Sequence, residues 1–394
     1  MAVNKSLKLI KNAEVYAPKY IEKKDVLIAA DIIGCVQENI ELKTNFEIET
    51  INAKGKILIP GLIDSHVHII GGGGEGSFKT RTPEIMLSDI IKAGVTTVVG
   101  CLGTDGTTRT MSNLIAKARG LEEEGITCYV YTGSYQVPVK TLLGSIQEDI
   151  IFIDKIIGVG EIALSDHRSS QPTIEELTKI ASAARRGGML SGKAGIVNIH
   201  MGDGNRKLKL LEEIIETTEI PATQFIPTHA GRNVGLFEAS VRYAKNGGLI
   251  DFTTSNVRDF GDNKGEHCSE LLAMALEQGV PAENISFSSD GQGSLPVFNE
   301  RGECIGLKVG EVASLFEEAR NAIIKKKIPI EVVLQVVTSN PARNLKLNNK
   351  GCIQAGKDAD IVLLDKDLEI DTVIAQGRVL LKNKEVMVKG TFEK

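Results

Sequence analysis

The sequence predicts an α/β protein: a (β/α)8 TIM-type barrel joined to a small β-sandwich domain that the two chain ends build together. Three observations predict it. Apolar strand candidates alternate with amphipathic helical stretches through the middle of the chain, both ends read as short strands alone, and histidines and carboxylates recur at one end of the central strands.

The 394 residues exceed what one compact core usually holds, which implies one large unit and one smaller. At the amino end, LKLIKNAEVY, KDVLIAADIIGCV and FEIETINAKGKILIPG are strand-like runs bounded by turn-forming or charged residues. From about 350, GCIQAGKDADIVLLD, IDTVIAQGRVLL and KEVMVKG read the same way. Neither set buries a core alone, so residues 1–58 and 346–394 are expected to share one β domain, leaving 59–345 for the barrel. In that central part, strand candidates end near His68, Asp105, Tyr135, Asp166, Asp203, Arg232, Ser255 and Asp290. Helical stretches at 83–93, 111–124, 174–187, 206–217, 235–246 and 266–278 separate them, as a closed parallel barrel requires.

Composition narrows the function classes. Apolar residues make up 42% and charged residues 25%, with no run long enough to span a bilayer, so no membrane role is expected. The first sixteen residues alternate apolar and polar and lack a signal-peptide core, which points to the cytoplasm. Six scattered cysteines (Cys35, Cys101, Cys128, Cys268, Cys304, Cys352) form no C-x-x-C pair and read as reduced thiols. A net charge of −5 without a basic cluster argues against nucleic acid as a partner.

Barrel active sites gather where the βα loops meet, at the carboxyl ends of the strands. The first strand ends in SHVH, where His66 and His68 are two apart and project to one side of an extended segment. The fifth carries His200, the sixth His229, and the eighth ends in Asp290. One H-x-H arises easily by chance, and buried histidines often satisfy one another. Four of the six histidines at matching strand ends, with a carboxylate beside them, outweigh that reading. Imidazole and carboxylate together suit Zn²⁺ and similar ions.

The strings ILIPGLIDSHVH, GVGEIALSDHRS, THAGRN and SSDGQGS, with GGGGEG at 71–76, TRTPE at 80–84, LGTDG at 102–106 and KGTFE at 389–393, resemble the isoaspartyl dipeptidase (β-aspartyl peptidase) family of the amidohydrolase superfamily. The resemblance spans nearly the whole chain. It implies a metallo-dipeptidase that hydrolyses the β-linked amide of isoaspartyl dipeptides by attack of a metal-bridging hydroxide, with two zinc ions as cofactors. It further implies His66, His68 and Asp290 at one metal and His200 and His229 at the other. Family members often bridge the metals with a carboxylated lysine on the fourth strand. Here IIGVGEIALSD has no lysine and places Glu161 there, whose shorter stem needs the backbone or the metals closer.

The resemblance also assigns the substrate contacts. Glu75 would take the ammonium, Arg168 and Arg232 the carboxylates, Gly73 and Gly74 would act through their backbone, and Thr104, Tyr135 and Ser294 through hydroxyls. Two guanidinium forks suit bidentate carboxylate recognition. The glycine run is not a P-loop, because no Lys-Ser or Lys-Thr pair follows it. Asp290 is expected to take a proton from the nucleophile and give it to the departing amine, and the Tyr135 hydroxyl to stabilise the oxyanion. His167 is expected to support a metal ligand from behind, and His267 to lie at the surface or an interface. Another amidohydrolase, such as a cyclic amide hydrolase or an N-acyl amino acid deacylase, would keep the metal ligands without needing Glu75, Arg168 and Arg232 together. A non-catalytic barrel scaffold would tolerate loss of the ligands, which are all present. The resemblance further implies a homo-oligomer.

Overall fold

The computed structural model describes residues 7–45, 48–255, 258–260, 263–298 and 304–394, with the backbone alone for 258–260, 263–266, 296–298 and residue 304. Six strands, Leu62–Val67 (β1), Val95–Gly100 (β2), Thr127–Thr132 (β3), Ile156–Leu164 (β4), Ile196–Met201 (β5) and Phe225–Thr228 (β6), pair in sequence order as one parallel sheet. Every residue of β1, β2, β4, β5 and β6 is buried. Their near-continuous apolar runs are what a parallel strand covered on both faces requires. Ile250–Thr253 (β7) and Ile285–Ser288 (β8) form a separate parallel pair. Hydrogen bonds run across both gaps: Ala230 N donates to Asp251 O at 3.1 Å, Asp290 N to His66 O at 3.1 Å and His68 N to Gly291 O at 2.9 Å. The sheet therefore curls, and the carboxyl ends of its strands face one mouth.

Helices return the chain between strands, and local side chains start them. Thr110, Ser145, Thr173 and Asn233 each accept the N3 amide of the helix that follows, and Thr173 with Glu176 completes a capping box. The helix expected from 83 begins only at Leu87, which leaves Pro83 outside it. Two antiparallel ribbons rise at the mouth side, Arg258–Phe260 with Asn263–Glu266 after β7, and Ser294–Phe298 with Cys304–Val309 after β8. Neither ribbon follows from the strand and helix pattern of the sequence.

Strands from both chain ends form one nine-stranded sheet. Its seam is Ile57–Pro60 antiparallel to Ile361–Leu364. The two-residue period of a strand explains how this sheet serves two cores. Leu58, Ile361 and Leu363 join a cluster with Ile10, Val26, Ile28 and Ile33, while Ile59, Val362 and Leu364 face the other way into the cluster that surrounds the parallel strands. Lys350 pins the two parts: its buried Nζ donates to Asp360 at 2.6 Å, to the Thr127 hydroxyl of β3 at 2.6 Å, and pairs with Asp358 at 2.8 Å. No helix among the described residues is long and apolar enough to cross a membrane.

Candidate metal centre

His66 and His68 leave the end of β1 with 0% and 6% exposure. Glu161 lies within β4, wholly buried, after a cis peptide from Gly160. Gly160 has φ of 148°, and a Cβ there would come within 2.7 Å of Asn198 O, so only glycine lets β4 lie this close to β5. His229 and Asp290 follow β6 and β8 with φ of 60° and 56°. These left-handed conformations cost non-glycine residues roughly 1–3 kcal/mol each and are typical of functional sites.

Glu161 stands at the centre. Its Oε2 lies 3.3 Å from His66 Nε2, 3.1 Å from His200 Nδ1 and 3.9 Å from His229 Nε2, while Oε1 lies 3.5 Å from His68 Nε2. Asp290 Oδ1 is 3.1 Å from His68 Nε2 and 3.7 Å from His66 Nε2. Potential ligand atoms thus fall into two sets, His66, His68, Cys101 and Glu161, and Glu161, His200 and His229, with Glu161 common to both. Both ring nitrogens of His66 and Oε1 of Glu161 are buried without a hydrogen-bond partner. Orphaned groups of this kind are rare in native proteins. An orphaned carboxylate oxygen beside an orphaned imidazole, with the further ligand atoms within 4.8 Å, fits a cation there, and the cluster as a whole fits a binuclear metal centre.

The electrostatics agree. Burial alone would push the Glu161 carboxyl up, but the rings of His66 and His200 beside it hold it well below the usual range. Burial likewise opposes charge on His66 and His68, yet Cys101 together with Glu161 (for His66) and Asp290 (for His68) raises both well above the ordinary histidine value. The histidines are thus surrounded by groups that favour positive charge at their positions, as at a site that takes a cation.

The substrate-side residues gather next to this cluster. Tyr135, 5% exposed, places its hydroxyl 2.7 Å from His200 Nδ1. Burial and then Glu161 push its pKa well above the ordinary value, so the hydroxyl keeps its proton. Arg168 forks onto Asp166 with Nε–Oδ1 at 2.9 Å and Nη2–Oδ2 at 2.8 Å, and its Nη1 reaches Glu75 Oε1 at 3.2 Å. Thr104 donates to the same Glu75 oxygen at 2.7 Å. Arg232 reaches His200 Nε2 at 3.5 Å and leaves its buried Nε without a partner. Gly73, Gly74, Glu75 and Thr104 line a cleft with Phe78, Arg81, Asp105 and Thr108. Ser294 closes against Gly73, where a Cβ would come within 2.8 Å of the serine Cβ.

The amidohydrolase family model matches residues 57–380. Two crystal structures of β-aspartyl dipeptidase from Fervidobacterium islandicum AW-1 are similar over 98% of this chain and 100% of theirs. The one in complex with β-Asp-Leu dipeptide is 50% identical with a TM-score of 0.90, the other 48% identical with a TM-score of 0.89. This chain belongs to the amidohydrolase family, among its β-aspartyl dipeptidases. A more distant relative is the 5-methylthioadenosine/S-adenosylhomocysteine deaminase of Carboxydothermus hydrogenoformans, 23% identical over 98% of this chain and 95% of that protein.

Two residues of this amidohydrolase site escaped sequence reasoning. Asp166 holds the Arg168 fork and lies 3.2 Å from His200 Nε2. Burial raises its pKa, but Arg168 and His200 bring it far below the ordinary aspartate value. The Asp-x-Arg spacing after β4 was the available signal. Cys101 follows β2, wholly buried, with Sγ 3.7 Å from His68 Nδ1; as a lone cysteine it gave no signal. The expectation for His167 was wrong. Its side chain is 85% exposed and, among the described residues, meets the site through Asp166 at 3.7 Å, because adjacent residues on this loop point apart and Asp166 takes the inward place. His267 is exposed, as expected, and starts the helix Cys268–Glu277 in a capping box with Glu270.

Proposed function

We propose that this amidohydrolase is a zinc-dependent dipeptidase cleaving the β-linked amide of isoaspartyl dipeptides, and that its eight parallel strands close into one barrel with the site at the mouth. In this reading 59–345 is the catalytic domain and 1–58 with 346–394 the β domain. The observation that carries it is the near-full-length likeness to an enzyme crystallised with β-Asp-Leu, combined with a Glu75–Arg168 pair 3.2 Å apart beside the metal cluster.

That pair explains the selectivity. In a β-linked substrate the free ammonium and free carboxylate sit on one carbon, so they need an acceptor and a donor side by side. Before binding, Arg168 is shared between Glu75 and the Asp166 fork. A β-Asp residue inserts its ammonium against Glu75, steadied by Thr104, and its carboxylate against Arg168, replacing one ion pair with two charge-assisted contacts. Arg232, with an unpartnered Nε, takes the carboxylate of the leaving residue, and Gly73, Gly74 and Ser294 close the cleft through hydrogen bonds.

His66, His68 and Asp290 would hold one zinc and His200 and His229 the other, with Glu161 shared between them; this donor set suits zinc. When bound, the metals supply water activation and Lewis-acid polarisation of the amide. Asp290 takes the proton from the nucleophile and later gives it to the leaving amine. Tyr135, kept protonated, donates its hydroxyl to the developing oxyanion. The described cysteines Cys35, Cys101, Cys128, Cys268 and Cys352 are free, which fits the cytoplasm, and a homo-oligomer accords with the resemblance.

The test compares β-Asp-Leu, a cyclic amide and an N-acetyl amino acid as substrates for the zinc-loaded protein, with and without a chelator. Turnover of the dipeptide alone, lost on chelation, supports the reading. Preference for either other substrate would move the chain to another amidohydrolase activity.

A further inference from the structure

The two ring nitrogens of His68 meet different surroundings. Nε2 faces carboxylates, Asp290 Oδ1 at 3.1 Å and Glu161 Oε1 at 3.5 Å. Nδ1 faces Cys101 Sγ at 3.7 Å, its hydrogen-bond partner among the described residues. The sulfur is fixed in place. Cys101 N donates to Val67 O at 3.0 Å, tying the end of β2 to the residue between the two histidines, and Sγ also lies 3.7 Å from that carbonyl. Backbone walls the rest of the ring: a Cβ on Gly72 would come within 3.2 Å of its Cγ, and one on Gly103 within 3.0 Å of its Cε1.

We propose that Cys101 is a positioning residue for His68. Neutral imidazole has one N–H and one lone pair, and the partner of one nitrogen decides which is which. The Cys101 sulfur accepts the Nδ1 hydrogen while its own S–H is given to Val67 O, leaving the Nε2 lone pair for a metal. A thiol is a weak hydrogen-bonding group, but here no water competes, since Cys101 has 0% exposure. The inference rests on the metal-centre reading and concerns how this chain orients one ligand. The competing arrangement is direct ligation by sulfur, since Sγ also lies within 4.8 Å of ligand atoms of His66 and Glu161.

Zinc affinity, measured by competition with a chromophoric chelator, separates these cases in the parent, Cys101→Val and Cys101→Ser. Cys101→Val keeps the buried apolar volume and removes the hydrogen-bonding group, as Cys101→Ser does not. The expected result is about tenfold weaker binding at one site in Cys101→Val, the size usual for losing a partner behind a ligand, with part of it regained in Cys101→Ser. The cobalt-loaded parent should show no sulfur-to-cobalt charge-transfer band. In the zinc-loaded parent with ¹⁵N-labelled histidine, NMR should find His68 as the Nδ1–H form. Unchanged affinity in Cys101→Val, a sulfur-to-cobalt band or an Nε2–H His68 would each overturn the assignment. A parent that takes up no zinc would bring down the metal-centre reading itself, whereas normal uptake by the parent with no change in Cys101→Val removes only the role of Cys101.

Discussion

Asp290 joins two properties that bear on its replacement. It holds a left-handed backbone with φ of 56° at the end of β8, and its carboxylate lies 3.1 Å from His68 Nε2. Asparagine tolerates that conformation better than other residues, so Asp290→Asn should keep the fold while losing the proton acceptor. Turnover of β-Asp-Leu should fall by about 10²–10⁴-fold or more, with an unchanged circular dichroism spectrum; near-parental turnover would remove Asp290 from the acid-base role. Glu161→Gln tests the shared carboxylate. Metal analysis should find at most one zinc per chain in this variant against two in the parent, and two in both would deny Glu161 the bridging place. At this scale the site was legible where spacing is coupled to strand ends, as for His66, His68, His200, His229 and Asp290. It was not legible where a residue acts through a neighbour, as Asp166 does through Arg168 and Cys101 does beside His68.

Elements were legible where periodicity is regular. The stretches at 111–124 and 174–187 became the helices Met111–Glu124 and Ile174–Ser191. The helix Ile330–Val337 did not show, because IEVVLQVV is rich in β-branched residues and its local preference is for a strand. Burial of Val333, Leu334, Val336 and Val337 overrides that preference. The joint between the two sheets rests on a charge that propensity cannot reveal. Burial opposes the Lys350 ammonium, but Asp360 and Asp358 raise its pKa above the usual lysine value. With the folded value raised, its contribution is fully present below an unfolded value of about 10.4 and is lost as pH rises through the folded one. Lys350→Met leaves two acids without their cation and should destabilise by about 3–5 kcal/mol in urea unfolding near neutral pH. The difference from the parent should shrink above about pH 10.4. A constant difference through that range would mean that packing of the lysine stem, not its charge, carries the joint.

Among the described residues, one apolar cluster runs from the parallel strands into the termini sheet, so the two parts share a core. A metal that binds only the native protein stabilises it by RT ln(1 + [L]/Kd), about 4 kcal/mol at a thousandfold excess over Kd. Chelation should therefore lower the melting temperature, and zinc should restore it; a melting curve indifferent to both would argue that the buried histidines and Glu161 are satisfied without metal. Substrate choice turns on the pairing of Glu75 with Arg168, because in a β-linked aspartyl dipeptide, unlike an α-linked one, both free charges sit on one carbon. The most direct measurement is amino-acid release from β-Asp-Leu and α-Asp-Leu by zinc-loaded parent and by Glu75→Gln. Release from the β-linked peptide alone, strongly reduced in Glu75→Gln, is the expected result. Equal cleavage of both peptides, or full activity in Glu75→Gln, would contradict it.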